Sequence, residues 1–264
     1  MTDTIADDLR SAVARIAGTE VLLVALDFDG TLAPLADDPM SVRMLPAARF
    51  AVTALLQAPA TVVAFVSGRS LADLRTIGEH DDASRVLLAG SHGAEYWIPG
   101  EGPVSHGDDP AAAALRDTLR ARAERAVVHL RGVWVEPKTF GFAVHTRLAD
   151  DDATAQAHRL VDAIVEADAP HWRRRTGHNV VEFAFRHEGK DSAIAELRDR
   201  VGATAVLFAG DDVTDEDAIR SLGDADLGVR VGDGDTAAAV RVPDIPALAE
   251  LLALLAAERT SARR

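Results

Sequence analysis

Four short apolar runs constrain the fold of this 264-residue chain more than any other feature. They are VLLVAL at 21–26, TVVAFV at 61–66, VLLA at 86–89 and AVLFA at 205–209. Each is apolar at consecutive rather than alternate positions, as a strand buried on both faces must be. Stretches of helical periodicity at 46–57, 71–77 and 191–201 accompany them. Such strands, separated by helices, predict an α/β domain with a doubly wound parallel sheet. The pattern changes in the middle of the chain. A long Ala/Arg helix at 111–130 precedes strands at 133–135 and 139–146, with a turn expected at Pro137. A helix at 152–168 precedes strands at 172–175 and 178–185, with a turn expected at Thr176-Gly177. Helix, hairpin, helix, hairpin predicts a smaller α+β domain inserted into the α/β chain. Residues 1–104 and 187–264 would then form the core and 105–186 the insert. The tail PALAELLALLAAE at 246–258 reads as an amphipathic packing helix.

Composition narrows the partners. A hydrophobic content of 48% supports a substantial core, and a formal charge of −14 repels polyanions. Neither nucleic acid nor an anionic membrane surface is an expected partner, and a monomer is expected. Charged residues interrupt every apolar run before it could span a bilayer, and the acidic N-terminal MTDTIADDLR has no apolar signal region. A cytoplasmic location is therefore expected. With no cysteine, the chain has no disulfide, thiolate metal site or cysteine nucleophile. Of its 28 basic residues only Lys138 and Lys190 are lysines, so these mark places where a guanidinium would not serve.

Four polar motifs sit at strand ends or helix starts: Asp27-Phe28-Asp29-Gly30-Thr31, Ser67-Gly68-Arg69, Lys190, and the acidic stretch Gly210 to Asp217. Asp27 and Asp29 occupy alternate positions after a buried strand, where both point to one side and repel unless a cation lies between them. Singly, each motif has an ordinary explanation. Asp29-Gly30 could be a turn, and Thr214 with the acids after it could be a capped helix start. A calcium-binding EF-hand loop is excluded, because it needs glycine at its sixth position and Gly30 stands fourth from Asp27. In an open α/β sheet, however, the carboxyl ends of the strands share one crevice, so motifs distant in sequence meet there.

In this order the four motifs resemble those of the haloacid dehalogenase (HAD) superfamily of phosphotransferases, which implies a Rossmann-like core. The resemblance implies that Asp27 attacks phosphorus to form an aspartyl-phosphate. Asp29 would protonate the leaving alcohol and then deprotonate water, which requires it to be protonated near neutral pH. Ser67 and Lys190 would bind the phosphoryl group. Asp27, the backbone carbonyl of Asp29, and Asp211 would hold Mg²⁺, with Asp212 and Asp215 orienting waters or Lys190 behind them. Phosphate monoesters are slow enough in water that a catalyst must supply a factor approaching roughly 10²¹, which favours a covalent route.

Within that superfamily the chain is similar to the trehalose-6-phosphate phosphatases. The similarity rests on DFDGTLAP with Pro34, Ser67-Gly68-Arg69, Gly90-Ser91-His92-Gly93-Ala94-Glu95, GDDVTDED, Glu136-x-Lys138 and His145-x-Arg147. It implies a phosphorylated disaccharide as substrate and a cap role for the insert. Gly30, Arg69, His92, Glu95, Glu136, Lys138, His145, Arg147, Asn179 and Glu182 become substrate-binding candidates. Carboxylates and amides suit sugar hydroxyls as acceptors, and the cationic groups suit them as donors. Two departures stand out. Ala184-Phe185 replaces the family's Arg-Pro, and Asp191 replaces a glycine after Lys190. Sucrose phosphate or an aminocyclitol phosphate therefore remains an alternative substrate. A sugar phosphomutase and a phosphorylatable receiver domain are the competing classes; the receiver is shorter and has no use for an insert.

Overall fold

The computed structural model describes residues 2–36, 38–105, 109–177 and 179–261. Contacts divide the chain into two compact units, one of Met1–Val104 with Glu188–Arg264, the other of Ser105–His187. No helix among the described residues is long and apolar enough to cross a membrane.

The first unit begins with α1 (Thr2–Ala17), β1 (Leu22–Leu26), α2 (Pro46–Gln57), β2 (Thr61–Val66), α3 (Leu71–Ile77), β3 (Leu87–Gly90), β4 (Glu95–Ile98) and β5 (Gly102–Ser105). The second unit holds α4 (Pro110–Val127), β6 (Trp134–Lys138), β7 (Gly141–His145), α5 (Asp151–Asp168), β8 (Arg173–Gly177) and β9 (Val180–Ala184). The chain then returns to the first unit with α6 (Lys190–Val201), β10 (Ala205–Gly210), α7 (Asp215–Ser221), β11 (Leu227–Val231), β12 (Val240–Val242) and α8 (Ile245–Ser261).

Eight strands form the main sheet in the order β12-β11-β10-β1-β2-β3-β4-β5. The six from β12 to β3 pair in parallel, and β4 runs antiparallel to β3. The apolar runs have the reason expected of them. In β1, Leu22, Val24 and Leu26 enter one core, while Leu23 and Ala25 enter the core on the opposite face. Alternate side chains leave opposite faces, so a sheet covered on both must be apolar at every position. The fold class is thus the doubly wound α/β one.

Side-chain caps set several helix starts. Ser70 accepts from the Asp73 amide at α3, and Asp109 and Asp150 do the same three residues into α4 and α5. The tail is a packing helix as read, with an exposed face that carries Pro246, Glu250 and Ala257. Along α8, Leu248, Ala249, Leu251, Leu252, Leu255, Ala256 and Arg259 are all buried, because the helix packs against both α1 and α2.

In the second unit a four-stranded sheet of order β6-β7-β9-β8 packs one face on α4 and α5 through Phe142, Val144, Val181 and Phe183. Two turns fall elsewhere than expected. Pro137 lies within β6 and the chain reverses after Lys138; β6 is an edge strand, where a residue without an N–H is tolerated. Likewise Thr176 and Gly177 belong to β8, where Gly177 pairs with Val180, and Asn179 takes φ 55°. His178 lies outside the described residues.

Candidate active site

The order of strands assembles the motifs. β10, β1, β2 and β3 are neighbours, and register aligns Leu26 with Ala209 and Phe65, and Val66 with Ala89. Their carboxyl ends are therefore level, and Asp27, Ser67, Ser91 and Asp211 leave the sheet along one edge. α6 buries Ala193, Ile194 and Leu197 on the sheet, which delivers its first residue, Lys190, to the same edge.

Lys190 is the hub. Its Nζ donates to Asp27 Oδ1 and to Asp215 Oδ1, each at 2.5 Å. Lys190, Asp27 and Asp215 are 4%, 4% and 0% exposed. A compact ammonium fits between two converging carboxylates where a planar guanidinium would not, which accounts for one of the two lysines. Asp215 Oδ2 accepts from the amides of Asp211 and Asp212 at 3.0 and 2.9 Å, so both oxygens of Asp215 are occupied. The Asp212 carboxylate is met by the Thr214 hydroxyl at 3.5 Å.

Thr31, to which the sequence assigned no role, lies 3.2 Å from Asp27 Oδ2 and 3.3 Å from Asp211 Oδ1, so its hydroxyl is shared between the two carboxylates. Its place at the end of DFDGT was the available signal. Gly30 takes φ 76°, and a Cβ there would lie 2.0 Å from Asp211 Oδ2. Glycine is thus required both by the backbone and by the carboxylate resting on it.

One oxygen each from Asp27, Asp211 and Asp215 lie within 4.8 Å of one another. Two of these carboxylates, Asp27 and Asp215, share the Lys190 ammonium and Asp211 adds a third acid beside them, so acids outnumber cations in the cluster. Burial pushes the Asp27 carboxyl well above the ordinary carboxylate range; Lys190 opposes this, and Asp215 and Asp211 reinforce it. Burial and Asp215 likewise raise Asp211 to about 6. For Lys190, burial acts to lower the ammonium, but Asp215 and Asp27 outweigh it and hold the proton firmly. An all-oxygen donor set with surplus negative charge fits a hard divalent cation. Asp27 and Asp211 are the carboxylates with capacity left for it, since Asp215 is spent on Lys190 and the loop amides.

Ser67 is 2% exposed, and its Oγ accepts the Arg69 amide at 3.2 Å. The Arg69 side chain grips Asp29 on both oxygens, Nε to Oδ2 and Nη2 to Oδ1 at 2.6 Å each. Both Asp29 oxygens accept from the one guanidinium, a bidentate pair that occupies the carboxylate face turned to Arg69.

His92 and Glu95 brace the Ser67 loop. The His92 amide donates to Ser67 O at 2.9 Å and the Ser91 amide to Arg69 O at 2.6 Å. A Cβ on Gly68 would lie 2.7 Å from the His92 ring. Ser91 and His92 hold φ 48° and 57°, an uncommon pair for residues with side chains. Glu95 Oε2 accepts the Ser91 hydroxyl at 2.6 Å and the Leu71 amide at 3.1 Å, which fastens the turn to the start of α3.

In the second unit, Glu136, Ala143, Glu182 and Arg175 stand in one row across β6, β7, β9 and β8. Lys138 Nζ donates to Glu136 Oε1 at 2.7 Å, and His145 Nε2 lies 2.6 Å from Oε2. Burial alone would raise the Glu136 carboxyl, but His145 and Lys138 outweigh it and bring it down to about 2. The His145 ring stacks on Trp134 at 4.7 Å, and the exposed Arg147 lies 5.4 Å from the same indole. Ala184 occupies the next row of that face, in register with Arg173 and Gly141. Asn179 is an exposed turn residue whose carbonyl accepts the Thr146 amide.

Comparison with known proteins places this geometry. The trehalose-phosphatase family profile matches residues 25–241. A trehalose-phosphate phosphatase of Mycobacterium avium (strain 104) is 38% identical over an alignment of 242 residues that covers 86% of this chain and 59% of that protein. The chain thus spans about three-fifths of the length of the curated relative. Among solved structures, the C-terminal domain of a C. albicans trehalose-6-phosphate phosphatase superposes with TM-score 0.78 at 20% identity, covering 94% of this chain and 97% of that one. A haloacid dehalogenase-like hydrolase from B. subtilis matches at TM-score 0.59 and 13% identity over 87% and 98% of the two chains, a likeness of fold. Since the profile runs through both units and across all four strand-end motifs, the chain belongs to the trehalose-phosphatase family.

Proposed function

We propose that the chain is a phosphoric monoester hydrolase that cleaves trehalose 6-phosphate to trehalose and phosphate. The observation that carries the reading is the Lys190 ammonium held 2.5 Å from both Asp27 and Asp215 at the carboxyl edge of the sheet. That arrangement keeps a buried carboxylate beside a fixed positive charge, which a nucleophile for an anionic phosphate needs.

Asp27 attacks phosphorus and the bond to the sugar oxygen breaks, leaving the phosphoryl group on Asp27. Asp29 gives its proton to the departing alkoxide. In the second step Asp29 takes a proton from water as that water attacks phosphorus, and the bond to Asp27 breaks to release phosphate. Arg69 must release Asp29 for either transfer, and the phosphate group is the natural competitor for its guanidinium. Ser67 and Lys190 donate to the phosphoryl oxygens throughout. Asp27, Asp211 and the backbone carbonyl of Asp29 would hold Mg²⁺, which when bound neutralises charge on the phosphoryl oxygens. Asp212 is assigned to waters around that ion, and Asp215 to Lys190.

The second unit is assigned as the cap domain that recognises the sugar. Glu136, Lys138, His145, Arg147, Asn179 and Glu182 are its proposed sugar contacts. Gly30, Arg69, His92 and Glu95 belong to the core side of substrate binding, the last two by bracing the Ser67 loop. The Glu136 group supports the assignment: a carboxylate, an ammonium and an imidazole hold one another ready on one sheet face.

A phosphate-release assay over mono- and disaccharide phosphates, with and without Mg²⁺, tests the reading. Preference for trehalose 6-phosphate with Mg²⁺ supports it. Full phosphate release by Asp27→Asn would refute the covalent route, and preference for monosaccharide phosphates would refute the substrate.

A further inference from the structure

The inference rests on the reading of Asp27 and Asp211 as cation ligands, and concerns what holds Asp211 in place. Asp211 lies on the loop between β10 and α7, and a loop carboxylate is a good ligand only if its backbone is fixed before the ion arrives. On one side Asp215 fixes the loop through the amides of Asp211 and Asp212. The opposite side belongs to Arg230.

Arg230 interrupts the buried strand LGVRV of β11 and is itself 7% exposed, in register with Gly210 at the end of β10. Burying a guanidinium costs its hydration, which must be offset by partners for its donors. Its Nη1 donates to the carbonyl of Asp212 at 3.0 Å. Nη2 and Nε donate to the carbonyl of Asp233 at 2.8 and 3.3 Å. One side chain therefore ties together the loops that follow β10 and β11.

Glu216, 3% exposed, balances the charge with Oε1 at 3.8 Å from Arg230 Nη1. Its Oε2 accepts the Ala237 amide at 2.9 Å, which joins the loop after β11 a second time. The hydrogen bonds and ion pairs described for Arg230 and Glu216 run to Asp212, Asp233, Ala237 and Arg220 and not to Asp27, Asp29, Ser67 or Lys190. Arg230 acts on the carbonyl of Asp212, one residue beyond the ligand Asp211.

We propose that Arg230, balanced by Glu216, is a positioning residue for the cation site. By holding the Asp212 carbonyl from behind, it presents the Asp211 carboxylate over Gly30 and lets the ion bind without reordering the loop. Groups that orient a metal's ligands typically govern its affinity by about 10–100-fold.

Calorimetric titration of MgCl₂ into the metal-free full chain tests this, measured well below each protein's unfolding midpoint. Arg230→Gln should weaken Mg²⁺ binding by roughly 10–100-fold, and Arg230→Lys should also weaken it, because a point charge cannot bridge two carbonyls. Glu216→Gln, which keeps an acceptor for Ala237, should weaken it in the same direction and carries the test if Arg230→Gln does not fold. With substrate, the Mg²⁺ concentration for half-maximal rate should rise while kcat at saturating Mg²⁺ recovers. Wild-type binding with unchanged affinity in folded variants overturns the inference alone, as does a lost kcat that saturating Mg²⁺ does not restore. A wild-type protein that binds no Mg²⁺ overturns the inference together with the reading beneath it.

Discussion

Lys190 places its ammonium 2.5 Å from Asp215 Oδ1, and Asp215, fully buried, spends its other oxygen on the amides of Asp211 and Asp212. One carboxylate thus anchors both the cation of the site and the loop that carries Asp211.

Lys190 is expected to resist conservative exchange. Lys190→Arg should reduce phosphate release by roughly 10²–10³-fold, since a guanidinium cannot occupy a gap shaped for an ammonium. Lys190→Met should also destabilise the fold by about 3–5 kcal/mol, because it leaves buried carboxylates without their cation. Asp27→Asn removes one of those carboxylates and should leave the metal-free protein at least as stable as wild type. Urea unfolding of the three variants beside their rates separates chemistry from folding.

Asp211 gives a pH signature. Its carboxyl is raised from the ordinary 3.8 to about 6 by burial and by Asp215. The folded state therefore holds this proton more tightly than the unfolded chain. The associated stability is fully present below about pH 4 and is lost as pH rises through about 6. Relative to wild type, metal-free Asp211→Asn should gain stability across that window and show no gain below it. Urea midpoints at several pH values check this; a gain independent of pH would show that Asp211 titrates elsewhere.

Arg259 should prove a stability determinant remote from the chemistry. Fully buried, it donates to the carbonyls of Ala17, Thr19, Pro59 and Ala60 and to the Thr61 hydroxyl, which pins α8 to the amino ends of β1 and β2. Arg259→Met would strand those acceptors and should cost about 3–5 kcal/mol, read as a fall in Tm on the order of 10 °C. A fall of only a degree or two would mean that water satisfies the carbonyls.

Glu136 is expected to govern substrate affinity. Glu136→Gln loses the charge that pairs Lys138 and His145, so KM for trehalose 6-phosphate should rise about tenfold with a smaller change in kcat. An unchanged KM would remove Glu136 from sugar recognition.

The core fold was legible in sequence because a sheet buried on both faces demands apolar residues at every strand position, as β1 shows in feeding two cores. The second unit's turns were less so: Pro137 signals a turn locally, and only the strand order reveals the edge position that admits it. α7, β11 and β12 lay beyond a reading by apolar runs, since Arg230 breaks the run in β11 and β12 spans three residues.

For the site, sequence alone determined which chemical groups arrive at strand ends and in what order, because residue identity and strand period are local properties. Tertiary structure decided which groups pair. Arg69 meets Asp29 across 40 positions, Lys190 meets Asp27 across 163, and Arg230 reaches Asp212 across 18. Those pairings depend on loop paths through positive-φ residues such as Gly30, Ser91 and His92, and on which strands become neighbours. Charge complementarity is short-ranged in a buried site, so it acts only once packing has brought the partners within a few ångströms.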